Sequence, residues 1–312
     1  MKIAFVFPGQ GSQYVGMGRE LYENYPEARE IFQTADNTLG MELSNLCFNG
    51  PEEELIKTAN TQPAILTTSI AALAVLDSRG IKAQMAAGHS LGEYSALVAA
   101  GALQFADAVR VVQMRGRFMQ EAAPIGTAGM AAVLGLDGEA VAQVCQEASR
   151  YGVVEPANFN SPGQVVIAGA LEALEKAMEM AKAAGAKRVV KLPVSGPFHS
   201  SLMAPAAERL AAELAKVLLT DPLIPVVANV SAQVVSDRQE AANFLIKQVS
   251  NSVRWEESVA KMAALGVTHF IEVGPGKVLS GLIKKIAKEA EILNIEDCAS
   301  LEKALAKLKE VS

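Results

Sequence analysis

Gln84-Met85-Ala86-Ala87-Gly88-His89-Ser90-Leu91-Gly92-Glu93 is the stretch on which the reading of this chain turns. Small residues over 84–88 suit a buried strand, and Tyr94, Leu97 and Val98 then recur at helical spacing. Between them lies Gly-x-Ser-x-Gly, so Ser90 falls on the sharp turn from strand to helix. Such a turn exposes the hydroxyl, and glycines flank it because a side chain would collide with neighbouring backbone. The helix N-terminus behind the serine supplies N–H groups and a field that favour a developing oxyanion. A chance pentapeptide in a tight turn is the alternative; the strand–turn–helix context favours a nucleophile.

Outward from this point the alternation repeats. Residues 2–7 read as a short buried strand, ending in the loop Pro8-Gly9-Gln10-Gly11-Ser12-Gln13. Helices are expected over 17–24, 26–38 and 105–121, and another from Pro63, at a first helical position, to about Asp77. Late in the chain come a helix over 201–217, a strand over 225–230, helices over 239–249 and 255–265, and a strand over 268–273. The Gly274-Pro275-Gly276 turn and helices over 277–289 and 299–309 complete the pattern. Strands alternating with helices predict a mostly parallel sheet covered by helices.

The middle differs. It reads as strand 129–135, helix 138–150, strands 153–159 and 164–168 about an Asn160-Ser161-Pro162-Gly163 turn, helix 171–184 and strand 187–192. That β-α-β-β-α-β order is ferredoxin-like. The expected organisation is a large α/β domain, residues 1–127 and 195–312, interrupted by a small ferredoxin-like domain over 128–194.

Composition agrees. At about 150 residues per domain, 312 residues hold about two. With 50% hydrophobic and 20% charged residues, the chain buries enough apolar surface to offset its ordering entropy, which excludes disorder as its main state. The formal net charge of −6 argues against nucleic-acid binding. Cys47, Cys145 and Cys298 are far apart and form no CxxC pair, which excludes a disulfide framework and a cysteine-rich zinc site. No metal or resident cofactor is expected. The apolar run before Pro8 is too short for a signal peptide, and the most membrane-like stretch, Met85 to Leu103, contains His89, Ser90 and Glu93. A cytoplasmic, reducing location away from membranes is therefore expected. Nothing demands more than a monomer.

A serine nucleophile needs a base. The chain has three histidines. His89 adjoins the serine, where neighbouring side chains diverge, and His269 opens an apolar strand. His199 lies in the loop Ser195-Gly196-Pro197-Phe198-His199-Ser200, just after the small domain, where a loop meets a cleft. By elimination it is the candidate base; a carboxylate or a backbone carbonyl could hold its other nitrogen. The order Ser, acid, His of α/β-hydrolases fits poorly, because His199 precedes the last third of the chain. Dinucleotide binding fails too: Tyr14 and Leu279 stand where the third glycines belong, and Ile271 stands where a Walker A motif needs its first.

Taken together, FPGQGSQ (7–13), GHSLGE (88–93), QMRGR (113–117), GPFHS (196–200) and EVGPG (272–276) resemble the malonyl-CoA:acyl-carrier-protein transacylases, along the whole chain and in order. The resemblance implies a hydrolase-like core with the active site in the gorge between the two domains. It also implies transfer of malonyl from coenzyme A, a thioester substrate rather than a cofactor, to holo acyl carrier protein in fatty-acid synthesis.

Each role follows by resemblance. Ser90 is similar to the acyl-accepting serine and His199 to its base. Gln10 and Leu91 resemble the pair whose backbone N–H groups form the oxyanion hole. Arg115 resembles the arginine that pairs with the malonyl carboxylate; without the family it would read as part of a solvated face with Arg110 and Arg117. Gln164 is similar to a glutamine lining the pocket, and Phe198 to a bulky residue that disfavours a 2-methyl branch. Asn251, in NSVRW, resembles the residue whose carbonyl steadies the histidine, although Ser252 stands where relatives commonly have proline. A serine thioesterase or esterase, malonyl loading of a polyketide carrier, and a silent carrier-binding scaffold are the rival readings. Local basic patches for the acidic substrates are expected from Arg188, Lys191, Lys284 and Lys285, which otherwise read as solvated charges.

Overall fold

The computed structural model describes residues 1–124, 126–194 and 196–311. Ser195, at the expected domain boundary, lies outside the described residues. The chain begins with β1 (Ile3–Phe7), α1 (Arg19–Asn24), α2 (Pro26–Leu39), α3 (Leu43–Asn49), α4 (Glu52–Leu55), α5 (Thr58–Ser78), β2 (Met85–Gly88), α6 (Gly92–Ala99) and α7 (Phe105–Glu121). The middle is β3 (Ala128–Leu134), α8 (Gly138–Ala148), β4 (Val154–Ser161), β5 (Gln164–Ala170), α9 (Leu171–Ala183) and β6 (Arg188–Lys191). Then follow α10 (Ala204–Leu214), β7 (Val226–Val227), α11 (Arg238–Ser250), α12 (Trp255–Ala264), β8 (His269–Val273), α13 (Val278–Ile286), β9 (Glu291–Ile295) and α14 (Cys298–Val311).

The large sheet has the order β7-β2-β1-β8-β9, and every pairing in it is parallel. Helices on both faces leave the central strands no solvent side, so all five residues of β1 are buried and read as an unbroken apolar run. Parallel strands also end together. Phe7 lies beside Gly88, so the loop after β1 and the elbow after β2 open at one edge, the carboxyl edge where open α/β sheets bind ligands.

The small sheet, β4-β5-β3-β6, is antiparallel throughout. Its alternation serves two cores. Ala131, Val133, Val165 and Ile167 pack with α8 and α9, whereas Met130, Val166 and Ala168 join the core of the large unit. Its β4 edge is tied to the large unit by hydrogen bonds from Phe159 N to Val253 O and from Val253 N to Ala157 O, both 2.9 Å. The small sheet is thus held as a roof over the carboxyl edge of the large one.

Several local expectations need correction. Pro63 does not start its helix: α5 begins at Thr58 and carries Pro63 in its second turn, where the missing N–H costs one ladder bond. The strand expected over 225–230 keeps only Val226–Val227, because Ala228 N turns back to bond Gln233 O, with Ala232 at φ 53°. That turn delivers Asn229 to the site. The sequence reading did not anticipate β9, α3 or α4. Among the described residues, the one helix long and apolar enough to cross a membrane is α5 rather than the 85–103 stretch. Its apolar window is 83% buried inside the protein, so it serves as the central core helix.

Candidate active site

The elbow is built by what its glycines lack. A Cβ on Gly88 would sit 1.9 Å from the Gly92 carbonyl carbon, and one on Gly92 would sit 2.0 Å from Phe7 O. Only hydrogen fits, so β1, β2 and α6 close up around the turn. Ser90 is driven into the left-handed region at φ 51°, which a non-glycine residue adopts at a cost. Asn229 over-determines it: its Oδ1 accepts from Ser90 N at 2.7 Å and its Nδ2 donates to Gly88 O at 2.7 Å.

His199 also has a positive φ, 60°. Its Nε2 lies 2.7 Å from Ser90 Oγ and its Nδ1 lies 2.7 Å from Gln248 O. A carbonyl can only accept, so Nδ1 carries the proton and Nε2 is the free acceptor for the serine hydroxyl. Gln248 is in the last turn of α11, whose final carbonyls have no intrahelical partners. His199 takes two of them, with His199 N donating to Val249 O at 3.2 Å. The negative end of that helix then faces the ring, where it would favour a positive charge. Burial first, then the Arg115 charge, push His199 down to about 3, so the resting imidazole is neutral and ready to accept.

Arg115 is buried, at 1% exposure, on the inner face of α7. Gly116 makes this approach possible, since a Cβ there would lie 2.5 Å from Thr58 O of α5. The guanidinium donates from Nη1 to Gln62 Oε1 at 2.8 Å, and from Nη2 to Gln248 Oε1 at 2.8 Å and Ser90 Oγ at 3.1 Å. Its Nε has no partner, and among the described residues no carboxylate pairs with it. A buried cation held by neutral groups alone beside a nucleophile is suited to a substrate carboxylate.

These groups line a small cavity of about 100 Å³, with Gln10, Leu91, Met119, Met130, Phe198 and Val194 among its walls. A second space of about 180 Å³ shares Gln10, His89, Asn158 and Leu192 with it and continues past Gln164 and Leu279. The two spaces therefore adjoin, with Ser90, His199 and Arg115 on the walls of the first. A larger cavity of about 540 Å³ around Met1, Ile3, Arg79 and Lys82 lies at the opposite end of β1 and contains no nucleophile–base pair. Among the described residues, no cluster of three or more His, Cys, Asp or Glu side chains is placed to hold a metal ion.

The sequence pattern of the acyl transferase domain family matches residues 4–307. The malonyl CoA-acyl carrier protein transacylase of Bacillus subtilis (strain 168) is 53% identical over 310 residues, covering 99% of this chain and 98% of its own. The chain belongs to the malonyl CoA-acyl carrier protein transacylases. A crystal structure of the Clostridium perfringens transacylase superposes with a TM-score of 0.96 at 48% identity, covering 100% of this chain and 98% of its own. Another neighbour, described as a type II PKS acyl-carrier protein in complex with its malonyl-transacylase, has a TM-score of 0.96 at 45% identity, covering 98% of this chain and 100% of that one.

Within this acyltransferase, Ser90, His199 and Arg115 meet as the resemblance implied. Asn251, the residue after α11, is the lesser of two backbone partners. Its backbone bonds the His199 ring behind that of Gln248, whose carbonyl lies 2.7 Å from Nδ1, and its Nδ2 donates to Lys247 O at 2.7 Å. Helical geometry explains why both serve, since residues three apart lie on one face of the helix end. Gln164 lines the outer space rather than the acyl cavity, and accepts from Lys285 Nζ at 3.2 Å. Phe198 walls the acyl cavity. Among the described residues, the Gln10 and Leu91 N–H groups have no backbone partner, which leaves both available to an oxyanion. His89 turns away, with Nε2 2.8 Å from Asn160 Oδ1, and His269 Nδ1 contacts Thr268 Oγ1 at 2.9 Å.

Sequence reasoning missed Gln62, Glu93, Asn229 and Gln248. One signal was available: Asn229 follows a parallel strand, at the sheet edge where such folds place functional groups.

Proposed function

We propose that the enzyme carries malonyl from coenzyme A to the phosphopantetheine thiol of holo acyl carrier protein in two half-reactions. Ser90 Oγ attacks the thioester carbonyl while its proton passes to His199 Nε2. The oxyanion faces the N–H groups of Gln10 and Leu91, each such donor contributing roughly 10²–10³ in rate. Collapse breaks the carbon–sulfur bond, and the departing coenzyme A thiolate takes the proton from Nε2. The carrier thiol reverses these steps, giving its proton to Nε2 and taking the acyl group from the Ser90 ester. A ping-pong pattern follows. No resident cofactor is invoked, and one chain supplies every group, so the reaction asks for no second copy.

The observation that carries this reading is Arg115 Nη2 at 3.1 Å from Ser90 Oγ, buried without a carboxylate partner. A malonyl group bound at Ser90 presents its carboxylate to that guanidinium, and an acetyl group has nothing to present. Phe198, beside the base in the same cavity, is placed to crowd a 2-methyl branch, a discrimination of about 1–3 kcal/mol. Lys285, at the mouth through its contact with Gln164, and exposed Lys284, Arg188 and Lys191 supply positive charge for the acidic carrier. Supply of malonyl to fatty-acid synthesis in the cytoplasm is the setting this chemistry fits.

The test is a label chase. The enzyme is charged with radiolabelled malonyl-CoA, isolated, and mixed with holo acyl carrier protein. Label moving from Ser90 to the carrier is expected. Release as free malonate would mean a thioesterase, and an unlabelled Ser90 would mean a scaffold.

A further inference from the structure

Glu93 is fully buried, lies three residues from the nucleophile, and has no step in the mechanism above. Its Oε2 accepts from Gln248 Nε2 at 2.8 Å and from Asn229 N at 3.0 Å. Oε2, itself held by the Asn229 N–H, is thus an acceptor that helps define where the Gln248 amide sits and which way round it faces. Gln248 Nε2 also donates to Ser90 O at 2.9 Å, so its nitrogen end meets acceptors only. Its oxygen end is thereby left for Arg115 Nη2, at 2.8 Å. A flipped amide would set its NH₂ against the guanidinium, donor to donor, and break the contact.

We propose that Glu93 is a positioning residue for acyl selection: by fixing the Gln248 amide, it aims the Arg115 guanidinium at the bound malonyl carboxylate. Placing an amide between them matters. A carboxylate in direct contact with Arg115 would occupy the donors that malonyl needs, whereas Glu93 steers the guanidinium at one remove and leaves them free. The role asks only for an acceptor at Oε2. Burial pushes this carboxyl up to about 7, and the oxygen accepts in either protonation state.

The inference rests on Arg115 as the receiver of the malonyl carboxylate, so the experiment includes that residue. The readout is the ratio of single-turnover acylation efficiency with malonyl-CoA to that with acetyl-CoA, measured for wild type, Glu93→Gln, Glu93→Ala, Gln248→Leu and Arg115→Ala. In Glu93→Gln the side-chain oxygen takes the place of Oε2, because both neighbours there are donors. That variant is expected to keep the ratio within about threefold. Glu93→Ala is expected to lower it at least tenfold through malonyl KM, with acetyl acylation little changed. Gln248→Leu keeps the backbone carbonyl on His199 and loses the amide, so it is expected to lower the ratio likewise; it carries the test if Glu93→Ala does not fold. An unchanged ratio in folded Glu93→Ala or in Gln248→Leu, or equal loss in Glu93→Gln and Glu93→Ala, overturns the proposal. If Arg115→Ala itself leaves the ratio unchanged, the reading of Arg115 fails first, and the proposal fails with it.

Discussion

Replacing Arg115 with alanine should convert a malonyl-selective enzyme into an indifferent one. The guanidinium is 1% exposed and bonds only neutral protein groups, so a bound malonyl carboxylate would be its sole full counter-charge among the described residues. Removing one partner of a buried ion pair costs about 3–5 kcal/mol. At 1.4 kcal/mol per factor of ten, kcat/KM for malonyl acylation should fall by about 10² to 4 × 10³. Acetyl lacks the carboxylate and should lose far less, so the malonyl-to-acetyl ratio collapses by nearly the same factor. Arg115→Lys keeps the charge but offers a single point donor, and should fall between. The assay is rapid-quench acylation with each thioester, read by intact-protein mass, with circular dichroism to confirm folding. The truncation strands the oxygens of Gln62 and Gln248, so some loss of thermal stability accompanies it. A folded alanine variant that keeps its ratio within threefold of wild type would refute the reasoning.

Other outcomes follow from the same geometry. Ser90→Ala should abolish the acyl-enzyme while leaving malonyl-CoA binding measurable by calorimetry; residual stoichiometric labelling would place the nucleophile elsewhere. With His199 held near 3 by burial and Arg115, the acidic limb of acylation kcat/KM, which reports the free enzyme, should lie well below 6.5. The malonyl carboxylate neutralises Arg115, so the limb in kcat should lie above that in kcat/KM, and a kcat/KM limb at 6.5 or higher contradicts this. The same depression makes the fold lose stability as pH drops below about 6.5, where the unfolded chain binds a proton that the folded ring refuses. Gly88→Ala should cost about 3 kcal/mol or more in denaturant titrations, because its Cβ would meet the Gly92 carbonyl at 1.9 Å. Lys284→Glu with Lys285→Glu should raise KM for the carrier several-fold more than KM for malonyl-CoA; equal effects would remove that face from carrier docking.

What the sequence made legible follows physical range. The parallel sheet and its insertion were readable because burial writes itself along the chain, as apolar runs in β1, β3 and β5 set off by helical periodicity and turn residues. The nucleophile was readable because steric exclusion at Gly88 and Gly92 is local and leaves a pentapeptide. Arg115 was not readable on its own terms. On α7 it resembles Arg110 and Arg117 in kind, but it shares the buried face of Val111, Val112, Phe118 and Met119, and Gly116 lets α5 close against it while Arg110 and Arg117 stay exposed. Of the two backbone partners of His199, the nearer, Gln248, was missed, because which carbonyl of a helix end is free depends on how the end is approached in space. Glu93 and Asn229 were invisible for a related reason, since a buried polar network is defined by contacts across 136 and 155 residues of chain. The small size of β7 came from a turn at Ala232 that no glycine or proline marks.

Burial sets both selectivity and reactivity here, and the two pull on one another. A dry cavity makes the Arg115 charge worth more to a carboxylate and makes the resting protein less comfortable with that charge. The fold does not relieve the discomfort with a direct carboxylate, which would compete with substrate. It spreads the load over Gln62, Gln248 and Ser90 Oγ, with Glu93 behind the amide. The cost falls partly on His199, whose proton affinity drops under the same cation and the same dryness. On the proposed reading, a malonyl carboxylate at Arg115 would relieve the conflict on arrival by cancelling the charge, the second cause after burial of the depressed base. The imidazole would thus become a better base with malonyl in place, whereas an uncharged acyl group would leave it depressed. Selection for malonyl would then appear in the rate of Ser90 attack as well as in binding. An acyl-CoA bearing a neutral amide in place of the malonyl carboxylate separates the two: it should acylate Ser90 more slowly at saturation, and equal saturated rates would confine selection to binding.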